Sequence, residues 1–188
     1  MKVFLKTILM LTLVITLAAC GGNGNEPVAD PVPGPEVIDN DNGNVDENIN
    51  MDGLFADDNW SMEIADGWEV MELGGMLFLM ATDTEGSNIN VVTESTHGMN
   101  IDEYLDATFE ALDMFIPDFE LITHEDITMS GEAGGFIAFT SGIAGVHTTY
   151  QFFTVIDGTA YIVTYSRMGE DPNLLDEVRS MLETFTIR

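Results

Sequence analysis

The chain has 188 residues and a formal charge of −28, because 33 acidic side chains outnumber five basic ones. A charge of this size repels nucleic acid and attracts cations diffusely, so we exclude nucleic acid as a partner. No lysine follows Lys6, which excludes both a phosphate-binding P-loop and a Schiff-base enzyme. Two explanations of the acidity stay open: a salt-rich medium around the protein, or a specific basic or metallic partner.

The first twenty residues have the order of a secretory signal. Basic Lys2 and Lys6 precede an apolar run over 7–17, and small residues precede Cys20. The letters LAAC at 17–20 resemble the lipobox of bacterial lipoproteins. The resemblance implies a signal peptide over 1–19, palmitate on the Cys20 sulfur, and a lipid anchor in the cell membrane on its extracytoplasmic face. An uncleaved signal anchor that contains a cysteine is the alternative.

Residues 20–53 are rich in Gly, Asn, Pro, Asp and Glu and contain no aromatic residue, which predicts a disordered acidic linker. The letters DNDNG at 39–43 invite comparison with a calcium loop. That comparison fails because Ile38 and Ile49 would occupy loop positions that need carboxylates. Cys20 is the only cysteine, so its acylation would also exclude thiol catalysis, Cys-ligated zinc and disulfides.

Residues 54–188 are predicted to form the folded domain, which begins with alternating apolar and polar residues. Residue pairs that contain glycine mark the turns. Asp157-Gly158 is the strongest of these turn signals, because a primed two-residue turn needs positive φ at both positions. The strands predicted from this pattern are Trp60–Ile64, Trp68–Leu73, Met76–Ala81, Asn88–Thr93, Phe119–His124 with an extension to Met129, Gly135–Ser141, Val146–Ile156, Thr159–Ser166 and a short Thr184–Ile187.

Two stretches change to the three- and four-residue spacing of amphipathic helices. The first begins at Asn100, which forms a capping box with Glu103, and ends at Pro117. The second is capped by Asp171, with Pro172 at its first position. The predicted buried stripe of this second helix consists of Leu174, Leu175, Val178, Met181 and Leu182.

The folded part resembles the PsbP/DcrB-like family at three places. These are the start WSMEIADGW at 60–68, the strand YIVTY at 161–165 after an Asp-Gly turn, and a closing helix that runs into Thr184-Phe185. The chain departs from the family at 65–66, where members often carry proline. The resemblance implies an α+β fold, with an antiparallel sheet of about six strands and helices packed on its faces. It implies no shared catalytic residues.

Trp60 and Trp68 flank a predicted turn and are the candidate rim of a binding cleft. The alternative is that they seal one end of a small sheet. His97, His124 and His147 are scattered, with no metal-binding spacing among them, and no serine lies in a nucleophile-elbow motif. We therefore predict no catalytic residue, no metal site and no cofactor.

The function expected from these patterns is that of a lipid-anchored extracytoplasmic domain, not an enzyme. Its expected partners are the lipid bilayer, through acylated Cys20, and a protein of the cell envelope. The alternative is a lipoprotein that binds a small molecule or a metal ion, with or without weak catalytic activity. The sequence itself favours no particular ligand.

Overall fold

The computed structural model describes residues 53–73, 76–82, 86–143, 146, 148–168 and 173–188. Strands make up 53% of these residues. The strands are β1 (Leu54–Ala56), β2 (Trp60–Glu63), β3 (Trp68–Leu73), β4 (Met76–Ala81), β5 (Asn88–Ser95), β6 (Glu120–Met129), β7 (Glu132–Thr140), β8 (Thr148–Ile156), β9 (Thr159–Arg167) and β10 (Thr186–Ile187). The helices are α1 (Ile101–Phe115) and α2 (Asn173–Glu183).

The strands form two antiparallel sheets. The large sheet has seven strands in the order β3-β4-β5-β9-β8-β7-β6, and the small sheet has three in the order β1-β2-β10. The pairing of β5 with β9 joins two parts of the chain that are far apart in sequence, from Asn88 opposite Ser166 to Ser95 opposite Thr159. This pairing makes β5 and β9 central strands and leaves β3 and β6 at the two edges of the large sheet.

The predicted fold class, an α+β domain with about six strands and helices packed on its faces, is wrong. The domain is mostly β, with two sheets of seven and three strands and two helices in the described part. The resemblance implied too few strands, and it did not include the small sheet. β1 has three residues and is too short to show the alternation by which strands are recognised, whereas β10 falls within the segment Thr184–Ile187 predicted as a short final strand or extended tail.

Alternation along the central strands creates two cores, one on each face of the large sheet. In β9, Ala160 and Ile162 face one way, whereas Tyr161, Val163 and Tyr165 face the other. The α1 core consists of Tyr104, Leu105, Leu112, Ile116, Ile137, Phe139, Phe153, Ala160 and Ile162. The α2 core includes Phe55, Trp60 and Met62 of the small sheet, Trp68, Phe136, Phe152 and Tyr165 of the large sheet, and Val178, Met181 and Leu182 of α2.

The local signals in the sequence agree with the structure where it is described. Asn100 accepts a hydrogen bond from the Glu103 backbone N–H and the Glu103 side chain accepts one from the Asn100 N–H, which confirms the predicted capping box. Asp157 and Gly158 both have positive φ, 49° and 77°, as the predicted turn requires. The predicted cap at 171–172, the glycine pair at 74–75 and the segments 1–19 and 20–52 lie outside the described residues.

Candidate functional site

The two tryptophans of the predicted rim are buried. Trp60 is 3% exposed and stacks on Phe185 with ring centroids 5.7 Å apart, while Phe55 meets it edge-on at 5.0 Å. Trp68 is 6% exposed, and its indole N–H donates a hydrogen bond to the Glu177 carboxylate at 3.3 Å. Both rings belong to the α2 core and offer little surface to a ligand. The rim itself stays a prediction.

The other residues considered from the sequence are not brought together where the structure describes them. Cys20 and His147 lie outside the described residues. His97 and His124 are exposed, and the His124 ring packs against Phe109 with centroids 5.2 Å apart. Within the described part of the chain, no group of three His, Cys, Asp or Glu side chains could hold a metal ion.

A buried tyrosine–carboxylate pair fastens the start of α1 to the large sheet. The Tyr104 hydroxyl donates to the Glu94 carboxylate at 2.6 Å, and the Thr108 hydroxyl donates to the Tyr104 carbonyl at 2.9 Å. Burial raises the pKa of Glu94, although the Tyr104 hydrogen bond and His97 lower it in part. Burial and the neighbouring charge of Glu94 raise the pKa of Tyr104, so its hydroxyl stays protonated as the donor. The pair holds α1 in place, and it does not line the cavity that is described below.

The outer edge of β6 is an edge of the large sheet that carries exposed apolar residues. β6 is the last strand of the large sheet, and no described strand pairs with its outer side. Its first residues include Leu121 and Ile122, which are 43% and 56% exposed. Met114, in the last turn of α1, is 61% exposed and lies just before the short connection to β6. Apolar side chains and unpaired backbone groups therefore occur together at this corner.

A cavity of about 190 Å³ lies between the end of β6, β8 and α2. Its apolar lining includes Met129, Phe152 and Leu182, which are buried. Its polar lining is exposed and consists of Thr128, Arg179 and Glu183. The guanidinium of Arg179 lies over the ring of Phe136, 4.8 Å from its centroid.

Neither the open edge of β6 nor the cavity beside Arg179 was predicted from the sequence. An open edge depends on the order of strands, which periodicity does not give. Arg179 appeared in the sequence only as one of three arginines after residue 20. One signal was available, since a lone cation on an acidic amphipathic helix is unusual in a chain with so few basic residues.

None of the described helices has the length and apolar character needed to span a membrane.

A scan of the sequence against known protein families finds no match, and neither does a search of curated proteins. Solved structures do match. The cyanobacterial protein CyanoP from Synechocystis sp. PCC 6803 superposes with a TM-score of 0.50 at 13% identity, over 75% of this chain and 96% of CyanoP. The domain has a PsbP-like fold.

Two further structures share this PsbP-like fold. LpqN of Mycobacterium tuberculosis, described as involved in cell envelope biogenesis, matches with a TM-score of 0.55 at 17% identity, over 70% of this chain and 86% of LpqN. A Pseudomonas aeruginosa protein of unknown function, described as a putative regulator, matches with a TM-score of 0.50 at 16% identity, over 70% of this chain and 92% of its own. At these identities the likeness establishes the fold alone.

Proposed function

We propose that this PsbP-like domain is a lipid-anchored, extracytoplasmic, non-catalytic module that binds a protein of the cell envelope along the outer edge of β6. The observation that carries the proposal is that unpaired edge together with exposed Met114, Leu121 and Ile122. An extended segment of another protein can add to such an edge as a further strand, with backbone hydrogen bonds for affinity and side-chain contacts for specificity.

Charge defines the kind of segment that fits. β6 carries exposed Glu120, Glu125 and Asp126. The outer face of α1, which precedes β6, is also acidic; its exposed residues are Asp102, Glu103, Asp106, Glu110 and Asp113. Acidic side chains around the β6 edge attract basic partners to this surface and repel acidic ones. We therefore expect an extended segment with lysine or arginine between apolar residues.

The location in the envelope is supported by the amino-terminal sequence. A basic start, an apolar run and LAAC at 17–20 have the order of a lipoprotein signal, and the polar stretch 20–53 would separate the domain from the bilayer. Among the proteins of like fold, LpqN is described as involved in cell envelope biogenesis. These points agree with one another and favour an envelope partner.

Site-specific photo-crosslinking in the expressing cell tests the interface. A photoreactive amino acid placed at Ile122 should capture a defined partner. The same group at Met71 is the matched control, because Met71 is 52% exposed and lies on β3, the opposite edge of the same sheet. Ile122→Lys should abolish capture from a neighbouring reporter position at Leu121, whereas Ile122→Glu should retain it. Equal capture from Met71 and Ile122 would contradict the proposed interface.

The anchor is tested separately with Cys20→Ser. We expect the natural chain to fractionate with membranes and to carry acyl mass on residue 20, because the lipobox directs acylation of its cysteine sulfur. The variant should lose the acyl mass and the cleavage after residue 19. An unmodified thiol and an intact leader on the natural chain would contradict lipid anchoring without affecting the interface at β6.

A further inference from the structure

We propose that the cavity between α2 and the end of β6 binds a small monocarboxylate with an apolar group of a few carbon atoms, held by Arg179. The cavity is lined by residues at the end of β6, whereas Leu121 and Ile122, the exposed apolar residues of the edge proposed above, lie at the start of that strand. The cavity is also independent of the two tryptophans, neither of which lines it.

The shape of the cavity defines the size of the ligand. Its volume is about 190 Å³, below the range of about 300 to 1,000 Å³ that is usual for pockets that hold drug-sized ligands. Buried Met129, Phe152 and Leu182 offer apolar contact to a group of a few carbon atoms. The exposed polar residues give access from solvent on the side of Thr128, Arg179 and Glu183. An apolar group with a single polar end fits this arrangement.

Arg179 provides the recognition of the carboxylate. Its guanidinium carbon lies over the ring of Phe136, 4.8 Å from the ring centroid. No carboxylate among the described residues forms an ion pair with it, although the chain holds 33 acidic side chains. The N–H groups of this guanidinium form no hydrogen bond with a described residue, so they are available to a ligand. Those N–H groups match the two oxygens of a carboxylate.

Charge limits the ligand to one negative group. Glu183 lines the same cavity one helical turn after Arg179 and is exposed. Together with the net charge of the chain, it disfavours a dianion such as a phosphate monoester. A monocarboxylate needs only the one cation that the site contains. The apolar lining then distinguishes this ligand from acetate or formate.

Binding is measured on the full chain in detergent with 4-methylpentanoate as the probe and ¹³C-methyl NMR of Met129 as the readout. We expect saturable shifts of that methyl group. The neutral 4-methylpentanamide has the same shape and should bind at least about tenfold more weakly, because it lacks the charge that Arg179 recognises. Equal binding of acid and amide would overturn the role of Arg179, and no shift with either would mean that the cavity is a packing void.

Variants separate recognition from folding. Arg179→Met keeps an unbranched side chain over Phe136 and removes the charge, so the preference for acid over amide should disappear. Arg188→Met is the control, because Arg188 is exposed at the end of the described chain and does not line the cavity. Thr128→Phe adds bulk from an exposed lining residue and should abolish binding with an unchanged melting temperature. If the Arg179→Met variant still binds the acid more tightly than the amide, the proposal is overturned.

Two results distinguish the source of the ligand and the two proposals. A tripeptide that ends in leucine offers the same carboxylate and branched group. If it binds and 4-methylpentanoate does not, the occupant is the end of another protein and the free small molecule is ruled out. Crosslinking from Ile122 should be unchanged in Arg179→Met, so failure at one site leaves the other proposal standing.

Discussion

The two faces of the large sheet are covered in different ways. On one face, α1 begins with the Asn100–Glu103 capping box, which lies within its own first turn, and is joined to β5 by the hydrogen bond from Tyr104 to Glu94. On the other face, α2 and the small sheet share one aromatic core, in which Trp60 stacks on Phe185. α1 also packs through its own apolar core, so the two layers differ in these polar contacts and in the small sheet that only the α2 core includes.

The same strands present different side chains to the two faces. Asn90, Thr164 and Gln151 lie side by side across β5, β9 and β8, and all three are buried on the face that α1 shares. Gln151 donates to the Thr164 hydroxyl at 3.2 Å, but its own side-chain oxygen and that of Asn90 lack a hydrogen-bond partner among the described residues. The opposite face carries Tyr165 and Phe152 at these positions. The α1 face therefore includes the cost of two buried amide oxygens that have no hydrogen-bond partner among the described residues.

The largest expected effect is on the α2 face. Trp60→Ala should reduce the free energy of unfolding by about 3 to 5 kcal/mol, because it empties the contact between the small sheet and α2. Denaturant unfolding at equilibrium measures this. Met114→Ala, at an exposed position, should change stability by less than about 0.5 kcal/mol. A loss below about 1 kcal/mol for Trp60→Ala would contradict a shared core.

Adjacent glycines in β7 compare the two faces directly. A Cβ at Gly134 would clash with the Phe153 backbone carbonyl, which cannot move without disturbing β8. A Cβ at Gly135 would meet the end of the Leu105 side chain at 2.6 Å, which can rotate away. We expect Gly134→Ala to cost about 2 to 3 kcal/mol and Gly135→Ala about 1 kcal/mol. The reverse order in thermal or denaturant unfolding would show that α1 is packed more rigidly than the sheet.

Tyr104→Phe tests the polar fastening of α1. It should cost about 1 kcal/mol near neutral pH, since the half-buried Glu94 carboxylate loses its donor. Burial raises the folded-state pKa of Glu94 above its ordinary value of 4.5, so its contribution to stability is greatest below that value and is lost as pH rises through the folded pKa. Loss of the hydroxyl removes an influence that lowers this pKa. The deficit of the variant should therefore shrink as pH falls through the folded pKa toward 4.5, and a deficit independent of pH would contradict the role of Glu94.

Gln151→Met should have the smallest effect. It replaces a buried amide, whose oxygen lacks a partner, with an apolar side chain of similar length. We expect stability to stay the same or rise by up to about 1 kcal/mol. Phe152→Ala, one residue along on the other face, is the contrast and should cost about 3 to 5 kcal/mol. A large loss from Gln151→Met would mean that the buried amide makes stronger interactions than its one hydrogen bond to Thr164.

Local patterns predicted much of the fold. The turn at Asp157-Gly158, the capping box at Asn100 and the buried stripe of α2 were all visible in the sequence, because each depends on residues within one turn or one strand. The pattern predicted nine of the ten described strands, all except β1, but the division into two sheets was not visible. β10 has two residues and is defined only by its pairing with β2, which lies more than a hundred residues earlier.

The candidate sites were less accessible to prediction than the fold. Trp60 and Trp68 were predicted to form the rim of a binding cleft because aromatic residues beside a turn are common at binding surfaces. The pairing of β2 with β10 instead places Trp60 opposite Ile187, where its side chain is buried. Arg179 and the open edge of β6 owe their properties to neighbours that are distant in sequence. Such features depend on tertiary packing, which periodicity does not encode.

The irregularity in β6 limits self-association. Its register with β7 shifts between Leu121 and Thr123, where a bulge bends the strand out of the flat geometry that stacked fibrils need. A second copy laid along this edge would also bring its carboxylates against those of the first. In the proposed complex, β6 therefore pairs with one foreign chain of opposite charge and disfavours repeated addition of further copies of this chain.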